Sequence, residues 1–332
     1  MRRRTLLAAL LPAGCAPEVI GAGPVSRIAR MGEDWIVAPD GAVLPLRAWQ
    51  PAGVARAAIL ALHGFNDSRN FMVEPAEALT AAGIAVYAYD QRGFGAAPHR
   101  GIWAGGDALA ADAATAARLV RARHPAVPLI LLGESMGGAV AMLALASDDP
   151  PPVDGAVLLA PAVWGRETMP GVMRWLVEAM AHAAPQLAVS SGVPGISPTD
   201  NLAALRRWAR DPLTLLQTRM DATLGLLELM DAAALSGARL TRVPVLLVYG
   251  GRDRLVPPQA VQRLLGSLPP GNRVRVAYYP PSYHFLLRDL NGPVVTQDLV
   301  AWIGRPDAPL PSGADRQGET WLQSGRRTAA PG

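Results

Sequence analysis

Three residues, each just past an apolar run, are a serine, an aspartate and a histidine, types that together can carry out nucleophilic catalysis. The stretch from Leu129 to Ala146 reads LILLGESMGGAVAMLALA. Leu129-Ile130-Leu131-Leu132 is short enough for a buried strand, and the Ala-rich apolar run after Gly138 is long enough for a helix. Between them stands Gly133-Glu134-Ser135-Met136-Gly137-Gly138. A serine at the apex of a strand–turn–helix takes a strained backbone conformation. Glycines two residues to either side remove the side chains that would clash as strand and helix approach. The hydroxyl then stands above the strand end, where it can act as a nucleophile. A bare G-x-S-x-G arises easily by chance in a glycine-rich chain; the strand before it and the helix after it single out Ser135.

A serine hydroxyl is a poor nucleophile at neutral pH and needs a base within hydrogen-bond reach. Of the five histidines, His63 stands beside Gly64 in a strand-end loop and His99 lies in the loop after Arg92-Gly93. His124 precedes Pro125 at a helix end, and His182 falls in a helical block. His284, in Pro280-Pro281-Ser282-Tyr283-His284-Phe285, follows the last strand and is the candidate base. The base needs a carboxylate to orient it and to stabilise its imidazolium. Asp253, in Gly250-Gly251-Arg252-Asp253-Arg254, occupies a turn after an apolar strand, with Asp211, Asp221 and Asp231 as rivals. A tetrahedral intermediate needs two donors for its oxyanion. The backbone N–H of Met136 is one candidate, and that of Phe65, in the turn His63-Gly64-Phe65, is the other.

These residues need a sheet to place them. Ala57–Leu62, Ile84–Tyr89, Leu129–Leu132, Gly155–Ala160 and Val243–Tyr249 are apolar throughout, and most are followed by a helical pattern. That alternation predicts a mostly parallel sheet covered by helices on both faces, an α/β fold. Asp34–Trp49, with Asp40-Gly41 at its centre, predicts a β-hairpin. The alternation stops after Trp164 and resumes near residue 238. The Met-, Leu- and Trp-rich block between predicts amphipathic helices inserted at the sheet edge that carries Ser135, a cap that favours an apolar substrate. The division expected is a signal peptide over 1–14, a linker over 15–30, a core over 31–164 and 238–304, a helical cap (lid) over 165–237, and a disordered tail over 305–332.

Composition excludes several classes. The 332 residues are half apolar, which rules out global disorder. All 31 basic residues are arginine, scattered, with a net charge of only +4, so a nucleic-acid groove is not expected. The single cysteine, Cys15, excludes an intramolecular disulfide, and no cysteine–histidine cluster suggests a metal or other cofactor. Arg2-Arg3-Arg4, a short leucine-rich run and Ala13-Gly14-Cys15 have the form of an export signal. The segment resembles a bacterial lipoprotein lipobox, which implies lipidation of Cys15, a membrane-surface anchor and the cell envelope as destination. A cytoplasmic protein is the alternative. The oligomeric state is not legible.

HGF at 63–65, DQRGFG at 90–95, GESMGG at 133–138, GGRDRLVP at 250–257 and YHFLL at 283–287 resemble the α/β-hydrolase superfamily, over about residues 33 to 304. They are most similar to its monoacylglycerol lipase and lysophospholipase group, within the serine aminopeptidase S33-like branch. The order Ser, Asp, His along the chain is that of the fold. The resemblance implies hydrolysis of carboxylic esters of lipid-like substrates by a Ser135–Asp253–His284 triad under a helical cap, without a cofactor. Asp90-Gln91-Arg92-Gly93 also resembles proline iminopeptidases. A peptidase, amidase or lactonase is therefore an alternative, with Glu178, Glu228 and Asp231 of the cap as candidate anchors for an amine. A non-catalytic envelope-associated binding protein is the alternative of another class.

Overall fold

The computed structural model describes residues 16–192 and 195–329. The expected signal peptide and Cys15 lie outside the described residues. The chain opens with an antiparallel ribbon of β1 (Arg30–Met31), β2 (Trp35–Val37) and β3 (Val43–Trp49). Its β2–β3 turn is Asp40-Gly41, as the sequence predicts. Then β4 (Ala57–Leu62), α1 (Val73–Ala81), β5 (Ile84–Tyr89), α2 (Gly106–Arg123), β6 (Leu129–Glu134), α3 (Met136–Ala146) and β7 (Gly155–Leu159) alternate.

An inserted block follows, with α4 (Gly171–Ala183), β8 (Ala188–Ser190), α5 (Leu202–Arg210), β9 (Gln217–Arg219) and α6 (Met220–Ser236). The alternation returns with β10 (Val245–Gly250), α7 (Pro258–Gly266), β11 (Val274–Tyr279) and α8 (Gly292–Gly304).

The main sheet runs in the order β1-β2-β3-β5-β4-β6-β7-β10-β11. From β5 to β11 all neighbours are parallel, and β3 joins β5 antiparallel. Every residue of β4, β5, β6, β7 and β10 is buried. Helix α1 packs with α8, and α2 packs with α3, so two helical layers enclose the strands. Burial on both faces explains continuous apolar runs in place of alternation. Parallel strands end at one edge, so the loops after β4, β6, β10 and β11 gather there.

Helix α6 packs on α3, and its Leu227, Leu229, Met230 and Ala233 belong to the main core. Helix α4 differs: Val172 is 76% exposed and Trp175 64%, with Met173 and Leu176 beside them also exposed. The apolar content of the inserted block therefore divides into an inner helix that completes the core and an outer helix that presents apolar side chains. The pair β8–β9 was not visible in the sequence, because β8 is exposed at every position and carries no alternation.

The tail departs from the expectation of disorder. Ala314–Ala329 forms helix α9, packed on β11. Trp321 stacks on Tyr278 at 5.1 Å between ring centroids and on Tyr249 at 5.3 Å. The main-chain N–H of Ser312 donates to Asp298 of α8 at 3.0 Å, and Leu310 and Ala314 join the core. The Pro/Gly-rich composition of residues 305–313 describes only the connection. Replacing Trp321 by alanine should remove about 2 kcal/mol of stability, as a partly buried aromatic with two ring partners is lost. A thermal unfolding midpoint indistinguishable from that of the parent would show that α9 contributes little.

Candidate active site

Ser135 sits between β6 and α3 with φ 54° and ψ −116°, a conformation unfavourable for a residue with a side chain. Close packing imposes it. A Cβ on Gly137 would lie 2.2 Å from the carbonyl oxygen of Leu62 and 2.7 Å from that of His63; one on Gly133 would lie 2.2 Å from the carbonyl oxygen of Gly137. Only glycine fits at either place. The turn is locked by main-chain bonds: Ser135 N–H donates to Leu159 at 2.9 Å, and its carbonyl accepts from Ala139 at 3.1 Å and Ala162 at 2.9 Å. Ser135 itself is half-buried, while Glu134 and Met136 beside it are fully buried.

The loops after β10 and β11 bring Asp253 and His284 together. His284 Nδ1 donates to Asp253 Oδ2 at 2.7 Å, and both side chains are buried. Asp253 Oδ1 accepts from the main-chain N–H of Leu255 at 2.8 Å and of Val256 at 3.1 Å. The two loops are tied by Gly251 N–H donating to Tyr279 at 2.9 Å and Arg252 N–H to Ser282 at 2.9 Å. Burial disfavours the charged His284 ring, but the charge and hydrogen bond of Asp253, with the charge of Glu134, outweigh it, so its pKa is raised above the ordinary histidine value. With Nδ1 engaged, Nε2 is the nitrogen left to take a proton. Among the described residues the Ser135 hydroxyl makes no hydrogen bond to His284; apo sites commonly form this bond only when substrate is bound.

The turn after β4 lies against Ser135: a Cβ on Gly64 would stand 3.3 Å from Ser135 Cβ. Neither Phe65 N–H nor Met136 N–H donates to an acceptor among the described residues, so both remain available. The Phe65 ring packs edge-on to Phe94 at 5.4 Å and beside Trp103 at 6.4 Å.

The other candidates are placed elsewhere. His63 is fully buried, with Nδ1 donating to Gly64 O at 2.8 Å and Nε2 accepting from Gln91 N–H at 3.0 Å. Burial pushes its pKa down, and both nitrogens are committed, so it shapes the loop. His124 caps α2 and meets Tyr87 Oη at 2.8 Å, and His99 and His182 are exposed. Asp211 accepts from Asn70 at 2.8 Å, Asp221 pairs with Arg219, and Asp231 pairs with Arg166. Among the described residues, none of the three is hydrogen-bonded to a histidine.

Sequence reasoning missed a buried ion cluster behind Ser135. Arg288 pairs with Glu134 and, at 2.8 Å, with Asp67. All three were visible inside quoted motifs or next to them, but nothing in a linear pattern pairs residues that far apart. Among the described residues no group of three or more metal-ligating side chains occurs, and no helix is long and apolar enough to cross a membrane.

The mostly parallel sheet with helices on both faces is that of the α/β-hydrolase fold. The family model described as serine aminopeptidase, S33, matches residues 53–291, and the chain belongs to that family. It is 31% identical to a monoacylglycerol lipase of Mycolicibacterium smegmatis over 77% of this chain and 90% of that one. It is 26% identical to the monoglyceride lipase of Rattus norvegicus, over 80% of this chain and 86% of that one. In fold it is similar to a soluble variant of monoglyceride lipase from Saccharomyces cerevisiae solved with a substrate analog, with a TM-score of 0.68, 17% identity, and coverage of 87% and 98%.

The raised pKa of His284 has a measurable form. In an NMR titration the ring should pick up its proton with a midpoint above about 6.5, the ordinary value. Asp253→Asn should lower that midpoint by removing the opposing charge. A midpoint unmoved by the substitution would mean that Asp253 does not govern the ring.

Proposed function

We propose that the protein is a serine hydrolase that cleaves carboxylic esters of lipid-like substrates, monoacylglycerols or lysophospholipids, through an acyl-enzyme on Ser135. The observation that carries this reading is a strained serine at a sheet edge that also holds a buried His284–Asp253 pair. Ser135 Oγ bonds to the ester carbonyl carbon while its proton passes to His284 Nε2. The carbonyl electron pair moves onto oxygen, where the N–H groups of Phe65 and Met136 receive it. Collapse of the intermediate breaks the bond to the alcohol, which leaves with the proton from His284. Water then attacks the acyl group by the same route and frees Ser135. Asp253 holds the His284 tautomer and stabilises the imidazolium.

Two observations favour a lipid ester over an aminoacyl substrate. The two relatives compared above are a monoacylglycerol lipase and a monoglyceride lipase, and the inserted block exposes apolar side chains on α4. Of the acidic groups in that block considered as anchors for an amine, Glu178 and Asp231 both pair with Arg166 and Glu228 is exposed. We further propose export to the cell envelope with lipidation at Cys15, on the strength of the arginine-rich start, the short apolar run and the lone cysteine.

A fluorophosphonate probe should label the protein, and Ser135→Ala should abolish labelling. Asp253→Asn should lower kcat by about 10³-fold or more. In a panel of p-nitrophenyl esters and aminoacyl anilides, ester turnover is expected; turnover of anilides alone would replace the esterase by a peptidase. An unlabelled parent protein would point to a binding protein. For export, palmitate should be incorporated in cells and lost in Cys15→Ser; equal incorporation in both would remove the anchor.

A further inference from the structure

Immediately behind the Ser135 turn lies a charge cluster that acyl transfer does not consume. Glu134, the last residue of β6, is joined to Ser135 by a peptide bond and is fully buried. Arg288 lies four residues after His284 and is buried, its guanidinium 4.0 Å from the ring centroid of Phe285. Asp67 lies two residues after Phe65 and is buried, with Oδ1 accepting from Ser68 N–H at 2.8 Å. Arg288 Nη2 donates to Glu134 Oε1, and Arg288 Nη1 stands 2.8 Å from Asp67 Oδ2. One side chain thus joins the three loops that carry the nucleophile, the base and a candidate oxyanion donor.

Three charges out of water are an expensive way to fill space, since well-packed apolar side chains of the same volume are often as stable or better. Two carboxyl groups also stand against one guanidinium in a low-dielectric region. We propose that Arg288, acting with Glu134 and Asp67, is the positioning residue of this site: it holds the three loops in register and sets the buried charge that His284 meets. The proposal rests on the Ser135 reading above.

Three charged groups act directly on His284: Asp253, Glu134 and Arg288. Asp253 is bonded to it from the loop after β10, and the Glu134 charge acts on it from the end of β6. Arg288 and Asp289 belong to its own loop, with Asp289 bonded to Tyr283 N–H at 2.9 Å. Asp67 acts from the loop after β4 through Arg288. Asp200 is bonded to Leu290 N–H at 2.9 Å, and Arg252 lies over Tyr283 at 5.8 Å. Burial pushes the Glu134 carboxyl up, and the Arg288 cation opposes this. The Glu134 charge favours the imidazolium, so removing it lets His284 lose its proton at lower pH.

The test uses the full chain and the pH dependence of two quantities. One is the second-order rate of fluorophosphonate labelling at Ser135; the other is kcat and KM for a p-nitrophenyl ester. Glu134→Gln keeps the volume and the acceptor oxygen. It should move the acid limb of both profiles to lower pH. Arg288→Met should lower kcat about 10-fold with KM changed less than twofold, since misplaced groups lose rate more than binding. Arg288→Lys should restore only part of the loss, because an ammonium cannot fork to two carboxylates. An acid limb that stays in place or rises in Glu134→Gln, or an unchanged kcat in folded Arg288→Met, would reduce the cluster to packing. Should Arg288→Met not fold, as judged by circular dichroism, the limb of Glu134→Gln decides alone. A parent protein that does not label at all would refute the Ser135 reading, and this proposal with it, a failure distinct from an unmoved limb.

Discussion

The site depends on how closely the β6–α3 turn approaches the end of β4. No side-chain atom fits between Gly137 and the carbonyl oxygens of Leu62 and His63. That contact fixes where α3 starts, and so where the N–H of Met136 points. It also presses the turn at Gly64 and Phe65 against Ser135. The strand order makes the contact possible, since β4 and β6 are hydrogen-bonded neighbours whose register pairs Leu62 with Gly133. Strain at Ser135 is therefore held by the sheet, whose buried parallel strands cannot yield without exposing backbone groups.

Charge is handled by burial with assigned partners. His63 and His284 are both buried, yet their pKa values move in opposite directions. Burial holds the ring of His63 neutral, although its Nδ1 meets the Gly64 carbonyl. The ring of His284 meets a carboxylate, which favours its cation. Both rings are buried, and it is the carboxylate on Nδ1 of His284 that outweighs burial there.

Much of this was legible in the chain. The core strands read as unbroken apolar runs because helices cover both faces. Ser135, Asp253 and His284 stand out because each follows such a run. The Gly133 and Gly137 requirement was visible as spacing. The Glu134–Arg288–Asp67 cluster was not, since Glu134 and Arg288 lie 154 residues apart and no local rule links them. Helix α9 was hidden by its Pro- and Gly-rich approach, and its anchor, Trp321, has meaning only against Tyr278 and Tyr249. In the inserted block the Met and Leu content predicted helices correctly but not which of them faces outward; that depends on α6, whose apolar side was already claimed by α3.

The two sheet edges end in different ways. At one, β1 is only two residues long and gives another strand little to pair with. At the other, β11 offers six residues of parallel strand, a natural template for a stray chain. Helix α9 lies over it, with Gly318 close enough that a Cβ would come within 2.2 Å of the carbonyl oxygen of Val276. Helix α9 thus covers the edge at which another strand would pair. A chain shortened before residue 314 would carry an open template for strand addition, and its first failing would be aggregation on storage, even with the residues around Ser135 in place.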